Sequence, residues 1–327
     1  MKKIFSVIGC VLLLLPAVAA AQVTQNFIVP AGDWDVAANW DSGTVPADGD
    51  SAFINNGGEG DLSVDTATIL DLGVGQGVGV SGSLTHTAGT LSSADGWIRI
   101  GGDGGTGTYV MSGTAALVAA HINPGDQRVF VGHGEPGDGV LEMTDGSSIT
   151  TTGDFVVGDG TDAVGVATLS NDATVSADGN CVVGAGGATG TLTLNDSASI
   201  IAGGLRFAGS GSATINLNDN SILEGGTVHL GNANSTINVN QNGGRLASNL
   251  WIGIANDGGG NVTYNITAGQ LISNGDVLTV GEDGVGQLNI SGTADVQANG
   301  LSMIIGRNDN SVGRLSITGS SLSLIHI

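Results

Sequence analysis

Apolar residues recur along this chain in columns rather than in helical stripes. One column reads Leu84, Tyr109, Leu141, Ala167, Leu192, Ile215, Ile237, Tyr264, Leu288 and Leu315, at intervals of about 22 to 32 residues. Two residues after each member comes a second: His86, Met111, Met143, Leu169, Leu194, Leu217, Val239, Ile266, Ile290 and Ile317. A period of two places both columns on one face of a strand. A third column follows about six residues later, running Leu91, Leu117, Ile149, Val175, Ile200, Leu223, Leu246, Leu271, Val296 and Leu322. A glycine marker closes a further strand before each loop, at Gly101, Gly132, Gly158, Gly184, Gly209, Gly231, Gly253, Gly281 and Gly306.

Three short strands in a unit of about 25 residues predict an all-β fold, one coil of a parallel β-helix repeated about ten times. At roughly 4.8 Å per coil the rod stands on the order of 50 Å tall. Nine-residue and six-residue solenoid repeats fail on period, so a right-handed winding is expected. The reading divides the chain into residues 1–21, a leader; 22–68, an N-terminal cap; 69–321, the coils; and 322–327, a tail. Phe27, Trp34, Trp40 and Phe53 suit a cap over the first coil's interior.

Composition agrees with a narrow interior. Aromatics make up 4% of the chain, and 58 glycines serve corners that need positive φ. Lys2 and Lys3, an apolar stretch from Ile4 to Leu15 and Ala19-Ala20-Ala21 predict a secretory signal cleaved before Gln22. Cleavage leaves six arginines against 30 acidic residues, a net charge of −24. That balance argues against nucleic acid and anionic membranes as partners. Cys181 then stands alone and occupies the place of Phe155 in the preceding coil, which predicts a core filler. The terminal Leu322-Ser323-Leu324-Ile325-His326-Ile327 resembles a translated sequencing adapter, so the natural chain is expected to run on past Ser321.

The segment Trp34-Asp35-Val36-Ala37-Ala38-Asn39-Trp40, with Val45-Pro46 and Asp50-Ser51-Ala52-Phe53-Ile54 after it, resembles the opening of bacterial secreted β-strand repeat proteins, which are autotransporter-passenger-like and PEP-CTERM-sorted surface proteins. Coils such as Gly190-Thr191-Leu192-Thr193-Leu194 are similar to their repeats. The resemblance implies a β-helix at the surface of a bacterium with an outer membrane. It also implies a C-terminal anchor or translocator, absent from this stretch, and extracellular polysaccharide or a neighbouring cell surface as partner.

Chemistry is sparse. Gly132-His133-Gly134 matches one short polygalacturonase motif, but the Asp-Asp, Asn-Thr-Asp and Arg-Ile-Lys segments expected beside it are missing. His86, His121, His133 and His229 show no spacing that converges on a metal, so His133 is expected in a solvated loop and His86 as a hydrogen-bonded cap residue. Acidic residues follow the glycine marker: Asp103, Glu135, Asp138, Asp159, Asp162, Asp257, Glu282, Asp283 and Asp309. Calcium is the one cofactor this edge has the chemistry for, with Asp159, Asp162, Glu282 and Asp283 as candidate ligands; a hydrated, solubilising edge is the plainer expectation. Between the two inward columns, Asn216, Asn238, Asn265 and Asn289 predict an amide ladder along the outside. The resulting expectation is a non-enzymatic exported stalk, adhesin passenger or matrix component. A divergent β-helical polysaccharide lyase or glycoside hydrolase is the alternative.

Overall fold

A computed structural model describes residues 22–319, apart from 121–127, 233, 257 and 259, together with a strand at Ser323–Ile325. Residues 1–21, His121, Asp257 and Leu322 lie outside the described residues. The chain is a parallel β-helix, and the 31 strands among the described residues stack coil on coil. Every strand pairing is parallel, and the only antiparallel contact among the described residues is an isolated bridge between Phe27 and Trp40.

Three sheets run the length of the rod. The first stacks twelve segments, from Thr24–Asn26 and Ser51–Ile54 through Ile98–Gly102, Arg128–His133 and Asp154–Asp159 to Ser302–Ile305. The second also has twelve, from Ala31–Asp33 and Glu59–Leu62 to Val312–Ile317. The third starts at Thr68–Ile69. Residues 22–68 therefore supply windings of their own instead of lying over the first coil. Phe27, Trp34 and Trp40 fill that end of the core, with Trp40 edge-on to both neighbours at 5.3 and 4.8 Å. Phe53 lies on the outer face, its ring where a side chain on Gly73 would be.

The inward columns are buried down to Leu288 and Ile290, whereas in the last winding Leu315 is partly covered and Ile317 exposed; one correction runs through them. Ile237 pairs with Ala213, Val239 with Ile215, and Gln241 with Leu217. The winding at 236–241 is thus two residues out of the register expected from its apolar pattern, because its second inward site holds a glutamine. Leu324, not Leu322, pairs with Val296 in the third sheet.

From the third winding on, the corner leaving the first sheet takes a left-handed residue in every coil. Pairing puts Gly75, Gly101, Gly132, Gly158, Gly184, Ala208, Gly231, Ala255, Gly281 and Gly306 there, all with φ between 52° and 88°. Ala208 and Ala255 thus replace the expected Gly209 and Gly253. In most coils the corner packs backbone to backbone against a second glycine. A Cβ on Gly107, Gly139 or Gly165 would overlap the corner amide of Gly101, Gly132 or Gly158. From 208 to 262 that seal is loosened, since the column of Gly190 continues as Ala213, Ile237 and Val262 before returning to Gly286. Left-handed alanine costs roughly 1–2 kcal/mol. Ala208→Gly and Ala255→Gly should therefore each raise stability by about 1 kcal/mol, read as a higher urea midpoint; an unchanged or lower midpoint would count against the corner assignment.

At the next corner the left-handed position is held by Gly113, Asp145, Asn171, Asp196, Asp219 and Gly292. The acids are bound into the stack: Asn171 N–H donates to Asp196 Oδ2 and Asp196 N–H to Asp219 Oδ2, each at 3.2 Å. Part of the chain's acidity is thus turn chemistry.

Candidate functional site

The outer face of the first sheet differs from the rest of the rod. Its central column runs Gly73, Arg99, Phe130, Val156, Val182, Arg206, His229, Gly253 and Thr279. The residues just before the strands form a second column, in which Trp97 and Trp251 stand six rungs apart, about 29 Å at 4.8 Å per rung. Arg128, Asp154, Asn180, Gly204 and Thr227 lie between them. Three of the six arginines and two histidines thus share one face with the two outward tryptophans.

The upper end of this strip is a compact cluster. Trp97 is 38% exposed, and the Arg99 guanidinium sits 4.1 Å from its ring centroid in cation–π geometry. Phe130 is only 1% exposed despite facing outward; its ring lies 5.7 Å from Trp97 and 4.2 Å from His133. Burial draws the Arg99 pKa below its ordinary value, with Asp103 and Asp71 opposing. His133 Nδ1 is 3.3 Å from Asp159 Oδ2. That proximity holds the Asp159 carboxyl below the usual range against the opposing effect of burial. The loop histidine expected from sequence is in fact a half-buried member of an aromatic cluster.

The lower end is built around Trp251. Its ring reaches over Gly253, where a Cβ would fall 2.5 Å from indole Cζ3, so the outward glycine is what makes room for the indole. His229 packs against Trp251 at 4.5 Å, and Asn256 Nδ2 donates to His229 Nδ1 at 3.1 Å, which leaves the ring proton on Nε2. Above them a cavity of about 140 Å³ is lined by Arg206, His229, Asn232 and the backbone of Gly209 and Gly231. It opens in the coils where the glycine seal is replaced. Below Trp251 a second hollow of about 100 Å³ is bordered by Asp276, Glu282 and Arg307.

The candidate calcium ligands do not converge. Asp159 and Asp162 are five rungs from Glu282 and Asp283, about 24 Å. Glu282 pairs with Arg307 at 2.5 Å and Asp283 accepts from Asn308 Nδ2 at 2.6 Å. Among the described residues no group of three acidic, histidine or cysteine side chains is placed to hold a metal. The amide ladder is Asn216, Asn240, Asn265 and Asn289. Asn240 Nδ2 donates to Asn216 Oδ1 at 3.1 Å, Asn265 Nδ2 to Asn240 Oδ1 at 3.4 Å, and Asn289 Nδ2 to Asn265 Oδ1 at 2.8 Å. Asn238 is not part of it: the two-residue shift pairs it with Thr214 and Thr263. Cys181 is buried in register with Phe155, and burial pushes its thiol up to about 12, with Asp154 adding to the shift. It is no nucleophile.

The aromatic and basic strip was not anticipated. A signal for it was present, since Trp97 and Trp251 each directly precede an Ile-x-Ile segment, but the shifted glycine marker hid their common column.

No protein-family model, curated protein or solved structure matches the chain.

Proposed function

We propose that this chain is a non-enzymatic, exported β-helical repeat protein, right-handed in its winding as parallel crossovers overwhelmingly are. It serves as a cell-surface stalk, adhesin passenger or matrix component of an outer-membrane-bearing bacterium. The observation that carries this reading is the unbroken stack of twelve parallel strands in the first sheet, a length-building architecture whose one described cysteine is buried inside it. Export is supported by the Lys2-Lys3 leader pattern, and an outer-surface role by the polar ladders along the rod. Antibody against the purified chain should label intact cells, and deleting the gene should lower attachment to surfaces or neighbouring cells. Labelling that appears only after permeabilisation would overturn it.

One observation favours the enzymatic alternative. Asp33, Glu59 and Asp61 share the outer face of the second sheet in its first two windings. The Asp61 pKa is raised by burial and then by Glu59 and Asp33, the direction a general acid requires. No ion pair among the described residues joins an arginine to them. Incubation with pectin and alginate should yield no new reducing ends; depolymerisation abolished by Asp61→Asn would establish the lyase or hydrolase instead.

A further inference from the structure

We propose that the strip around Trp251 is a saccharide-binding site, and that the cavity above it takes the carboxylate of an acidic sugar. This deepens the adhesin reading by naming the ligand chemistry, and it rests on that reading for its biological setting only.

The argument begins with charge. In a chain with 30 acidic residues and six arginines, an arginine has every opportunity to meet a carboxylate. Arg128 lies 3.7 Å from Asp154, Arg245 2.7 Å from Glu224 and Arg307 2.5 Å from Glu282, while Arg99 is within the electrostatic reach of Asp103 and Asp71. Arg206, like Arg314 in the last winding of the second sheet, is in no ion pair among the described residues. Its Nε donates to Asn180 Oδ1 at 3.2 Å, and Asn180 in turn donates to Asp154 Oδ1 through its backbone N–H at 2.6 Å and its Nδ2 at 3.1 Å. A neutral amide thus stands between Arg206 and Asp154. The exposed guanidinium borders a cavity with no acidic side chain among its described lining residues.

The rest of the site has the form that sugars select. The half-buried indole of Trp251, which reaches over Gly253, offers an apolar surface to the C–H face of a pyranose. His229 and Asn232 border the cavity beside it, and Asp276, Glu282 and Arg307 border the hollow on the other side. Apolar surface flanked by a few convergent polar groups is the usual construction of a small-ligand site. The guanidinium fork favours a planar carboxylate, which it can hold by two hydrogen bonds. The rod's overall negative charge does not veto an anion here. At physiological ionic strength charges beyond about 8 Å are largely screened, so the immediate lining decides.

The test uses the purified chain, with binding followed by calorimetry and tryptophan fluorescence. Probes are a hexamer of galacturonate, the same hexamer fully methyl-esterified, and a sulfated oligosaccharide. The acidic hexamer should bind at least tenfold more tightly than its ester. Arg206→Gln should remove that preference while leaving residual binding, and Trp251→Ala should reduce binding of both forms. Arg314→Gln, which removes an arginine from the second sheet, should leave both unchanged. Tighter binding of the sulfated probe would reassign the anion to sulfate and overturn the carboxylate assignment. Equal binding of acid and ester, or wild-type binding by Arg206→Gln and Trp251→Ala with unchanged unfolding midpoints, would overturn the site. Surface labelling and attachment would be untouched by that failure, so the adhesin reading stands or falls separately.

Discussion

Gly101→Val is expected to cost roughly 4 kcal/mol and to unzip the ladder locally. Two effects combine. Gly101 has φ of 67°, in the left-handed region where a β-branched residue is strained. In addition, any Cβ there would overlap the carbonyl oxygen of Asp138 in the next winding. Asp138 begins a strand paired on both sides, with Thr106 and with Val164, so it cannot retreat without breaking ladder bonds. In a solenoid each coil contacts only its neighbours, and the damage should stay near its source. Hydrogen exchange should show lost protection at residues 106–111 and 138–143 and unchanged protection at 285–290. Unchanged protection at 138–143 would refute the close approach. Uniform loss along the rod would refute the quasi-one-dimensional picture.

That contrast between Gly101 and Ala208 also explains what the sequence shows of this protein and what it conceals. Where glycine occupies both the left-handed corner and its packing partner, as at Gly132 and Gly139, the repeat announces itself and the columns around it align correctly. Between 208 and 262 the same backbone is made with Ala208, Ala213, Ile237, Ala255 and Val262. Side-chain type then ceases to report conformation. The misplaced Gly209 and Gly253, the shifted Ile237 and Val239 and the misassigned Asn238 all fall in this stretch. So does the cavity beside Arg206, because the irregularity that obscures the register also opens the surface. The interior was legible because burial with period two is a strong signal. The outward strip was not, since its membership depends on which residues stand one above another, and a two-residue slip in one winding dissolves the column.

The slip also hid a motif that yields the second large prediction. His86 and Gln241 both occupy the second inward site of their windings, and each faces the tyrosine at the first inward site of the next. Tyr264 O–H donates to Gln241 Oε1 at 2.6 Å, and Gln241 Nε2 donates to the Gly244 carbonyl at 3.1 Å. His86 repeats the pattern: Nε2 lies 3.0 Å from the Gly89 carbonyl, so it carries the proton, and Nδ1 accepts from Tyr109 O–H at 2.9 Å. Both of the chain's tyrosines are held in this way, and burial raises their pKa so that they remain donors. His86 is therefore an interior polar plug, with the winding at Glu59–Leu62 stacked beyond it, rather than a residue of the cap.

Burial lowers the His86 pKa below its ordinary 6.5. The unfolded chain then takes up a proton that the folded chain refuses. Stability from this group is full above about pH 6.5 and is lost as pH falls toward the folded pKa, at up to about 1.4 kcal/mol per pH unit. His86→Gln should keep both hydrogen bonds, as Gln241 does, and abolish that dependence. Urea midpoints at pH 7.5 should nearly coincide for the two proteins, whereas at pH 5.5 the variant should be the more stable by roughly 1 kcal/mol. His86→Leu orphans the buried Tyr109 hydroxyl and should cost about 1–3 kcal/mol at either pH. The reciprocal Gln241→His should import the same acid sensitivity at the other end of the rod. If wild type and His86→Gln lose stability in parallel between pH 7.5 and 5.5, the two plugs are not equivalent and the histidine is not held neutral by its burial.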